Sequence, residues 1–334
     1  MQTNIYFKTF GFAKLYLNSY CQLLEVLKKR MAPPMAVNSQ PQPRPFLRWA
    51  GGKGRLTETL LSTIPNSFFL AQHRYYEPFL GGGALMFALG NVNSNNFVPG
   101  KRIIINDSNP ELINTYIAVR DDIETLIRKL HLLSRDISKS AFLRIKSSFP
   151  SSEIARAARF IYLNKTCFNG LWRVNNNGDF NVPWAGLKSP KVLDEVNLRI
   201  ASSRLQGATI SVGKYQESIK YARKGDLVYL DPPYLPLSTT SNFSKYVKED
   251  FGPLDHYSLA GAIDGLTAQG VRVILSNSDT PLTRDIFGNS LYLHKISVQR
   301  MIPARSSSRQ KVSEIIGTNF PISTRSLPSR LQKI

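Results

Sequence analysis

The apolar run Leu227-Val228-Tyr229-Leu230 stops at Asp231-Pro232-Pro233-Tyr234, and this junction narrows the possible architecture more than any other segment. Four consecutive apolar residues of this kind read as a buried strand. Neither proline has an N–H to donate, so the backbone beyond the strand offers mainly carbonyl acceptors. Other strand-like runs occur at Tyr75-Tyr76-Glu77, Arg102–Ile105, Ala208–Val212, Val271–Ser276 and Leu291–Val298. Helical patterns lie between them, from Pro110 to about Arg135 and again through Glu153–Leu163. Strands alternating with helices predict an α/β fold with a mostly parallel sheet. Ligands of such sheets bind at the carboxyl ends of the strands. A carboxylate, carbonyl oxygens and the Tyr234 ring at such an end suit a planar ring that carries an amino group. The alternative is a plain strand-ending turn, because Asp-Pro and Pro-Pro are common turn punctuation.

Charge points to the partner. The 334 residues carry a formal net charge of +20 with pI near 10.0, which favours a polyanion. The surplus lies in residues 1–48, 120–205 and 295–334, whereas the stretches that hold the strand motifs are close to neutral. A neutral catalytic core flanked by basic surface fits that distribution. Cys21 and Cys167 are far apart, which gives no disulfide framework and fits a reducing cytoplasm. The four histidines, His73, His131, His256 and His294, have no ligand spacing, so no metal is expected. No apolar run reaches transmembrane length, so no membrane partner is expected. Residues 1–45 read as an extension and linker outside the fold, and 321–334 as a loose tail.

A second constellation precedes the first. Strand Tyr75–Glu77 leads into Pro78-Phe79-Leu80-Gly81-Gly82-Gly83 and then a helix, the layout of a nucleotide-binding turn. The spacing is not G-x-G-x-x-G, so a dinucleotide is a poor fit. Asp107 ends the next strand, where an acid can bond ribose hydroxyls or else cap the following helix. Phe46-Leu47-Arg48-Trp49-Ala50-Gly51-Gly52-Lys53 opens another glycine-rich turn. A ligand with a ribose and a positive centre suits Glu77, Asp107 and Asp231 together, and S-adenosylmethionine is such a ligand.

With these pieces in order, the chain resembles the Dam-type DNA adenine-N6 methyltransferases. The segments that carry the resemblance are FLRWAGGK (46–53), EPFLGGGA (77–84), NDSNPELI (106–113), YLNKTCFNGLWRVNNNGDFNVPWAG (162–186), DPPYLPLSTTSNF (231–243), VILSNSD (273–279) and SSSRQKVSEII (306–316). The resemblance implies a Rossmann-like methyltransferase sheet with an inserted, mainly helical target-recognition domain carrying a β-hairpin. The catalytic domain would comprise 46–111 and 205–320, and the recognition domain 112–204. It implies a cofactor pocket of Trp49, Ala50, Lys53, Glu77, Phe79, Gly81, Gly83, Asp107 and Asp231. Asp231, Pro232, Pro233 and Tyr234 would hold a flipped adenine. Arg48, Asn169, Leu171, Arg173 and Pro183 would contact double-stranded DNA, commonly at GATC. Arg48 stands where a lysine is common. No obligate protein partner is implied, and a monomer is expected. Arg173 is the candidate for a bidentate guanine contact, with an ordinary phosphate or surface role as the alternative. Lys165, Arg199 and Arg204 read as general charge, and Arg305 and Arg309 as backbone contacts or basic tail. Two rival functions use the same motifs: cytosine-N4 methylation, and an inactive protein that acts by occupying DNA.

Overall fold

The computed structural model describes residues 42–70, 72–89, 102–235, 251–299, 311–322 and 331–334. All lie within the unit formed by residues 38–334. Most of the expected N-terminal extension lies outside the described residues, as do Arg305, Arg309, the 236–243 part of the Asp231 motif and 306–310 of the last one.

Eight strands form one sheet: β1 (Tyr75–Glu77), β2 (Ile103–Asp107), β3 (Thr209–Val212), β4 (Leu227–Leu230), β5 (Arg272–Ser278), β6 (Tyr292–Gln299), β7 (Lys311–Thr318) and β8 (Leu331–Lys333). Their order across the sheet is β3-β2-β1-β4-β5-β7-β6-β8. The first five strands run parallel, and β7, β6 and β8 are joined antiparallel. The first six strand-like runs are therefore strands, but β7 and β8 were not foreseen. Part of the expected loose tail, Leu331–Lys333, pairs with β6 instead. Both faces of β4 are covered, as its apolar run required: all four residues are buried.

The chain leaves β1 for β2 on one side, and later places β4 on the other. A crevice opens at such a reversal, outside the carboxyl ends of the two strands. The Gly-rich turn after β1 and Asp231 after β4 both start from this edge.

Between the neighbouring strands β2 and β3 the chain makes a long, mainly helical excursion: α4 (Pro110–Asp121), α5 (Ile123–Ser134), α6 (Lys139–Lys146), α7 (Glu153–Thr166) and α8 (Glu195–Leu205). Among the described residues, three shorter helices, α1 (Thr57–Thr63), α2 (Asn66–Leu70) and α3 (Ala84–Leu89), precede them. Three more follow: α9 (Tyr215–Ile219), α10 (Pro253–Ala268) and α11 (Pro281–Phe287). Helix starts follow local chemistry. Asn109 caps α4 by accepting from Glu111 N and Leu112 N, with Pro110 in the first turn. α4 touches β2 and β3 as well as α7 and α8, so the expected boundary at residue 112 falls inside a helix that lies on the sheet. α7 is the buried centre of the excursion, with Ala157–Asn164 all enclosed.

The resemblance implies a β-hairpin in the stretch after α7. That stretch doubles back, but through two isolated bridges, Cys167 with Trp184 and Val174 with Phe180, and a 3-10 turn at Phe168–Gly170. Successive left-handed residues, Asn169 (φ 55°) and Gly170 (φ 66°), keep it from continuing as a regular ladder.

Candidate active site

Asp231 emerges from β4 beside Lys53. The Lys53 ammonium lies 2.8 Å from Asp231 Oδ1 and donates to Gly51 O at 2.5 Å. Lysine in a glycine-rich turn is ordinarily solvated; here it is buried, 5% exposed, because the turn folds it back onto Asp231. About a fifth of the Asp231 side chain stays open (20%), yet Oδ1 itself is sealed from solvent. The ammonium is within bonding distance of Oδ1 and compensates its charge, so the part of the carboxylate that stays open faces away from Lys53. Burial raises the Asp231 carboxyl to about 6, Lys53 pulls it back, and the charge of Glu314 pushes it up. Tyr234 follows two residues later. Lys53 Nζ lies 4.6 Å from its ring centre, and its hydroxyl donates to Glu314 at 2.9 Å.

The turn after β1 is tied to β2 rather than free-standing. Asp107 Oδ2 accepts from Gly81 N at 3.0 Å and Oδ1 from Asn109 N at 3.0 Å. Asp107 is thus not the cap of α4, a role filled by Asn109. Gly81 needs its missing side chain: at φ 49°, a Cβ would lie 2.6 Å from Trp49 Cδ1. The Trp49 indole therefore rests directly on the turn, next to Phe160. A Cβ on Gly83 would lie 2.8 Å from the Tyr116 hydroxyl, which donates to Gly81 O. Phe79 leaves the turn toward Tyr215 and Phe251, with ring centres 5.3 and 5.4 Å away. Ala50 is exposed at the head of its loop.

Glu77 has a different environment from Asp107. It is 2% exposed, and Oε2 accepts from Tyr75 Oη at 2.7 Å and from Met86 N at 3.1 Å, an otherwise unpaired N–H at the start of α3. Burial raises its carboxyl to about 8, against the Tyr75 bond and helped by the charge of Asp231. Glu77 is therefore mainly neutral at pH 7 and braces the turn from inside. A carboxyl raised from 4.5 to about 8 gives the fold stability that is complete below 4.5 and lost as pH climbs through 8. Glu77→Gln is expected to flatten that decline while keeping the fold. Urea unfolding at pH 5 and pH 8 measures it, and an unchanged slope would contradict a neutral Glu77.

The DNA candidates gather around Asn164, which had no role in the sequence reading. Arg48 N donates to its Oδ1 (2.8 Å), and its amide donates to Arg48 O (2.7 Å) and Gly170 O (2.9 Å). The FLRWAGGK segment and the Phe168–Arg173 loop are thus joined by one buried side chain. Gly170 permits the approach: a Cβ there would lie 2.3 Å from Arg48 Cβ. Arg48 and Asn169 are exposed, and Leu171 is half-buried. Exposed Arg173 donates to Asn181 Oδ1 at 2.7 Å across the doubled-back loop. Pro183 is exposed and its carbonyl accepts from Phe168 N. Trp172 is half-buried and packs on Phe160 (ring centres 3.9 Å apart) and Phe180 (4.7 Å). Lys165 lines a cavity with Arg44, Arg48 and Lys191, and burial first, then Arg48, lowers it to about 8. Arg199 is committed to Glu124 and Glu195 at 2.8 and 3.0 Å. Cys167 is buried and pushed up to about 11, which leaves it inert as a nucleophile.

Sequence reasoning also missed Asn106, Tyr215 and Glu314. Asn106 binds Pro78 O and Gly213 O and accepts from Ser211 Oγ, so it fastens the carboxyl ends of β1, β2 and β3 together. A buried asparagine at a strand end is the one signal that could have drawn attention to it.

Known proteins match this arrangement over most of its length. The profile of the family described as D12 class N6 adenine-specific DNA methyltransferase matches residues 49–302. The Type II methyltransferase M1.LlaDCHI of Lactococcus lactis subsp. cremoris is 39% identical over 285 residues, covering 83% of this chain and 95% of the relative. The Type II methyltransferase M.MjaIII of Methanocaldococcus jannaschii is 35% identical, covering 83% and 99%. The DNA adenine methylase of Escherichia coli K12 is 32% identical, covering 83% and 96%. Among the described residues no helix is long and apolar enough to cross a membrane. On these matches, the chain belongs to the D12 class of N6 adenine-specific DNA methyltransferases.

Proposed function

We propose that the chain methylates adenine N6 within a short double-stranded site, GATC or a related sequence, after the base has turned out of the duplex toward Asp231–Tyr234. The observation that carries this reading is Asp231: a carboxylate at the end of β4, paired with buried Lys53 yet one-fifth open, beside an aromatic ring, at the sheet edge where the Gly-rich turn begins. An amino group can donate to the part of that carboxylate that stays open. The expected enzyme is a monomer of the cytoplasm that takes methyl groups from S-adenosylmethionine.

The residues fit that cofactor on charge. Asp231 feels the negative charge of Glu314, and Glu77 that of Asp231, with Lys53 as the cation beside them. A desolvated corner of this sign favours a positively charged ligand. Asp231, Lys53 and the Gly81–Gly83 turn would hold it, with Trp49, Ala50, Phe79 and Asp107 around it. S-adenosylmethionine supplies an electrophilic methyl group when bound.

Everything else falls to the protein. The N6 lone pair of adenine is delocalised into the ring and is a poor nucleophile. Asp231 and the Pro232 carbonyl accept from the two N6–H groups, which favours a pyramidal nitrogen and stabilises the positive charge that grows on it. A carboxyl at about 6 can take the proton released after transfer and pass it to water. Turning the base out costs roughly a few kcal/mol, and stacking on Tyr234 returns about 1–3 kcal/mol. Positioning supplies much of the remaining acceleration.

Sequence choice is assigned to Arg48, Asn169, Leu171, Arg173 and Pro183. The bond from Arg173 Nε to Asn181 leaves its terminal nitrogens free to fork onto guanine O6 and N7. Arg173→Ala is then expected to lower discrimination at one base position by about 10- to 100-fold, since a bidentate pair is worth about 1–3 kcal/mol. Competition between cognate and single-mismatch duplexes reads this directly, and an equal loss on every duplex would mark a phosphate contact instead.

The test of the whole reading is transfer of labelled methyl groups to unmethylated DNA, followed by base mapping. N6-methyladenine confined to one short motif is the expected result. N4-methylcytosine, or no transfer with DNA and cofactor both bound, overturns it.

A further inference from the structure

Glu314 is an acid in an apolar strand, Val312-Ser313-Glu314-Ile315-Ile316, and it is buried, 6% exposed. A carboxylate in such a place costs stability unless it is bonded. β7 runs antiparallel to β5 with Glu314 opposite Ser278, so its N-terminal half reaches the edge at which the parallel strands end. That brings Glu314 to the Asp231 corner from a segment 80 residues away from Tyr234, whose hydroxyl donates to Oε2 at 2.9 Å.

The contacts fix a ring. The phenolic end of Tyr234 is held by Glu314, one face is covered by the Lys53 ammonium at 4.6 Å, and Lys53 is itself paired with Asp231 at 2.8 Å. Tyr234 follows two prolines whose φ angles are fixed, so the chain that leads to it is restrained. Two side-chain torsions remain, and a bond at the far end of the ring removes most of their freedom.

Resting on the functional reading above, we propose that Glu314 is a positioning residue for methyl transfer. It acts through the Tyr234 hydroxyl and sets the ring so that the face not taken by Lys53 meets the incoming base. Glu314 touches neither base nor cofactor in this role. Its loss should impair capture of the turned-out base and leave cofactor affinity nearly unchanged. Glu314→Gln keeps an acceptor oxygen for the hydroxyl and should recover most of the activity.

The experiment is a double-mutant cycle of Glu314→Leu and Tyr234→Phe in the full chain. Three quantities are read: turnover on cognate duplex, fluorescence of a duplex with 2-aminopurine at the target adenine, and cofactor affinity by calorimetry. A hydrogen bond to a charged group is worth enough for each single variant to lose about 10- to 100-fold in turnover. Each should also show a weaker 2-aminopurine signal. The double variant should lose little more than either single one, because both remove the same bond. Independent, additive losses, or an unchanged 2-aminopurine signal in both single variants, overturn the proposal. Should Glu314→Leu not fold, Tyr234→Phe tests the bond from its other end, with the ring kept. A weak signal at normal cofactor affinity supports the role of Glu314, and a normal signal removes it. A wild-type enzyme that methylates no adenine overturns the functional reading itself; a normal wild-type with additive losses overturns this inference alone.

Discussion

Asp231→Ala is expected to reduce methyl transfer by about 10²–10³-fold or more, the usual cost of removing a group aimed at charge that develops in the transition state. DNA binding should change little, since the duplex is held largely through phosphates. The pH profile separates this role from simple packing. Asp231 accepts hydrogen bonds only as the carboxylate, and its carboxyl stands at about 6, so kcat/KM should rise through about pH 6 and level off above it. Asp231→Asn keeps an acceptor oxygen but has no group to ionise; its residual activity should show no limb near 6. The stability effect runs the other way. A carboxyl raised from 3.8 to about 6 is favoured in its neutral form by the fold; that contribution is complete below 3.8 and lost as pH rises through 6. Ionised Asp231 is thus a cost at pH 7 that the Lys53 pair only partly offsets, and the wild-type unfolding curve should decline over this range. Asp231→Ala should show a shallower decline that keeps only the part due to Glu77. Near-normal turnover in Asp231→Ala would sink the mechanism.

The parts of this site that could be read from the sequence are those where the signal is local. Four apolar residues and two prolines identify β4 and its end, and three glycines after Tyr75–Glu77 mark the turn beside it, because strand burial and turn chemistry depend on neighbours in the chain. What the sequence could not disclose depends on segments that meet only in the fold. Lys53 reads as solvated until Asp231 is placed 2.8 Å from it. Glu314 carries no local signal, because the unforeseen strand β7 must pair antiparallel with β5 before it reaches Tyr234. Asp107 could equally have been a cap, and the choice was made by Asn109 two residues on. The β-hairpin was expected from the resemblance, and the described chain there reverses through two isolated bridges and a left-handed pair at Asn169-Gly170. Lys165 was grouped with Arg199 as general charge, yet one lines a cavity beside Arg48 and the other is neutralised on the surface.

Asn164 offers the second large effect, and its substitutions should differ in sign with pH. The side chain is fully buried and makes three bonds, one accepted from Arg48 N and two donated, to Arg48 O and Gly170 O. Asn164→Leu leaves one N–H and two carbonyls unpaired, which at about 1–3 kcal/mol for each buried group should cost about 3–5 kcal/mol overall. Asn164→Asp has nearly the same shape and should still be severe at neutral pH. Its oxygen can accept from Arg48 N, but the other oxygen faces two carbonyls at 2.7 and 2.9 Å where an amide used to donate. A carboxylate there is repelled by both, so its folded pKa must lie above the unfolded value. The stability of Asn164→Asp should therefore recover as pH falls, because the protonated acid donates one of the two lost bonds; Asn164→Leu has no such route. Urea unfolding at pH 5 and pH 8 distinguishes the two, and parallel pH dependence would mean that the carbonyls do not need this donor. The functional consequence follows from what Asn164 joins. With Arg48 and the Phe168–Arg173 loop no longer held by the same side chain, Asn164→Asp at pH 8 should lose discrimination between cognate and mismatched duplexes faster than it loses affinity for unrelated DNA, because phosphate contacts tolerate a displaced loop and base contacts do not.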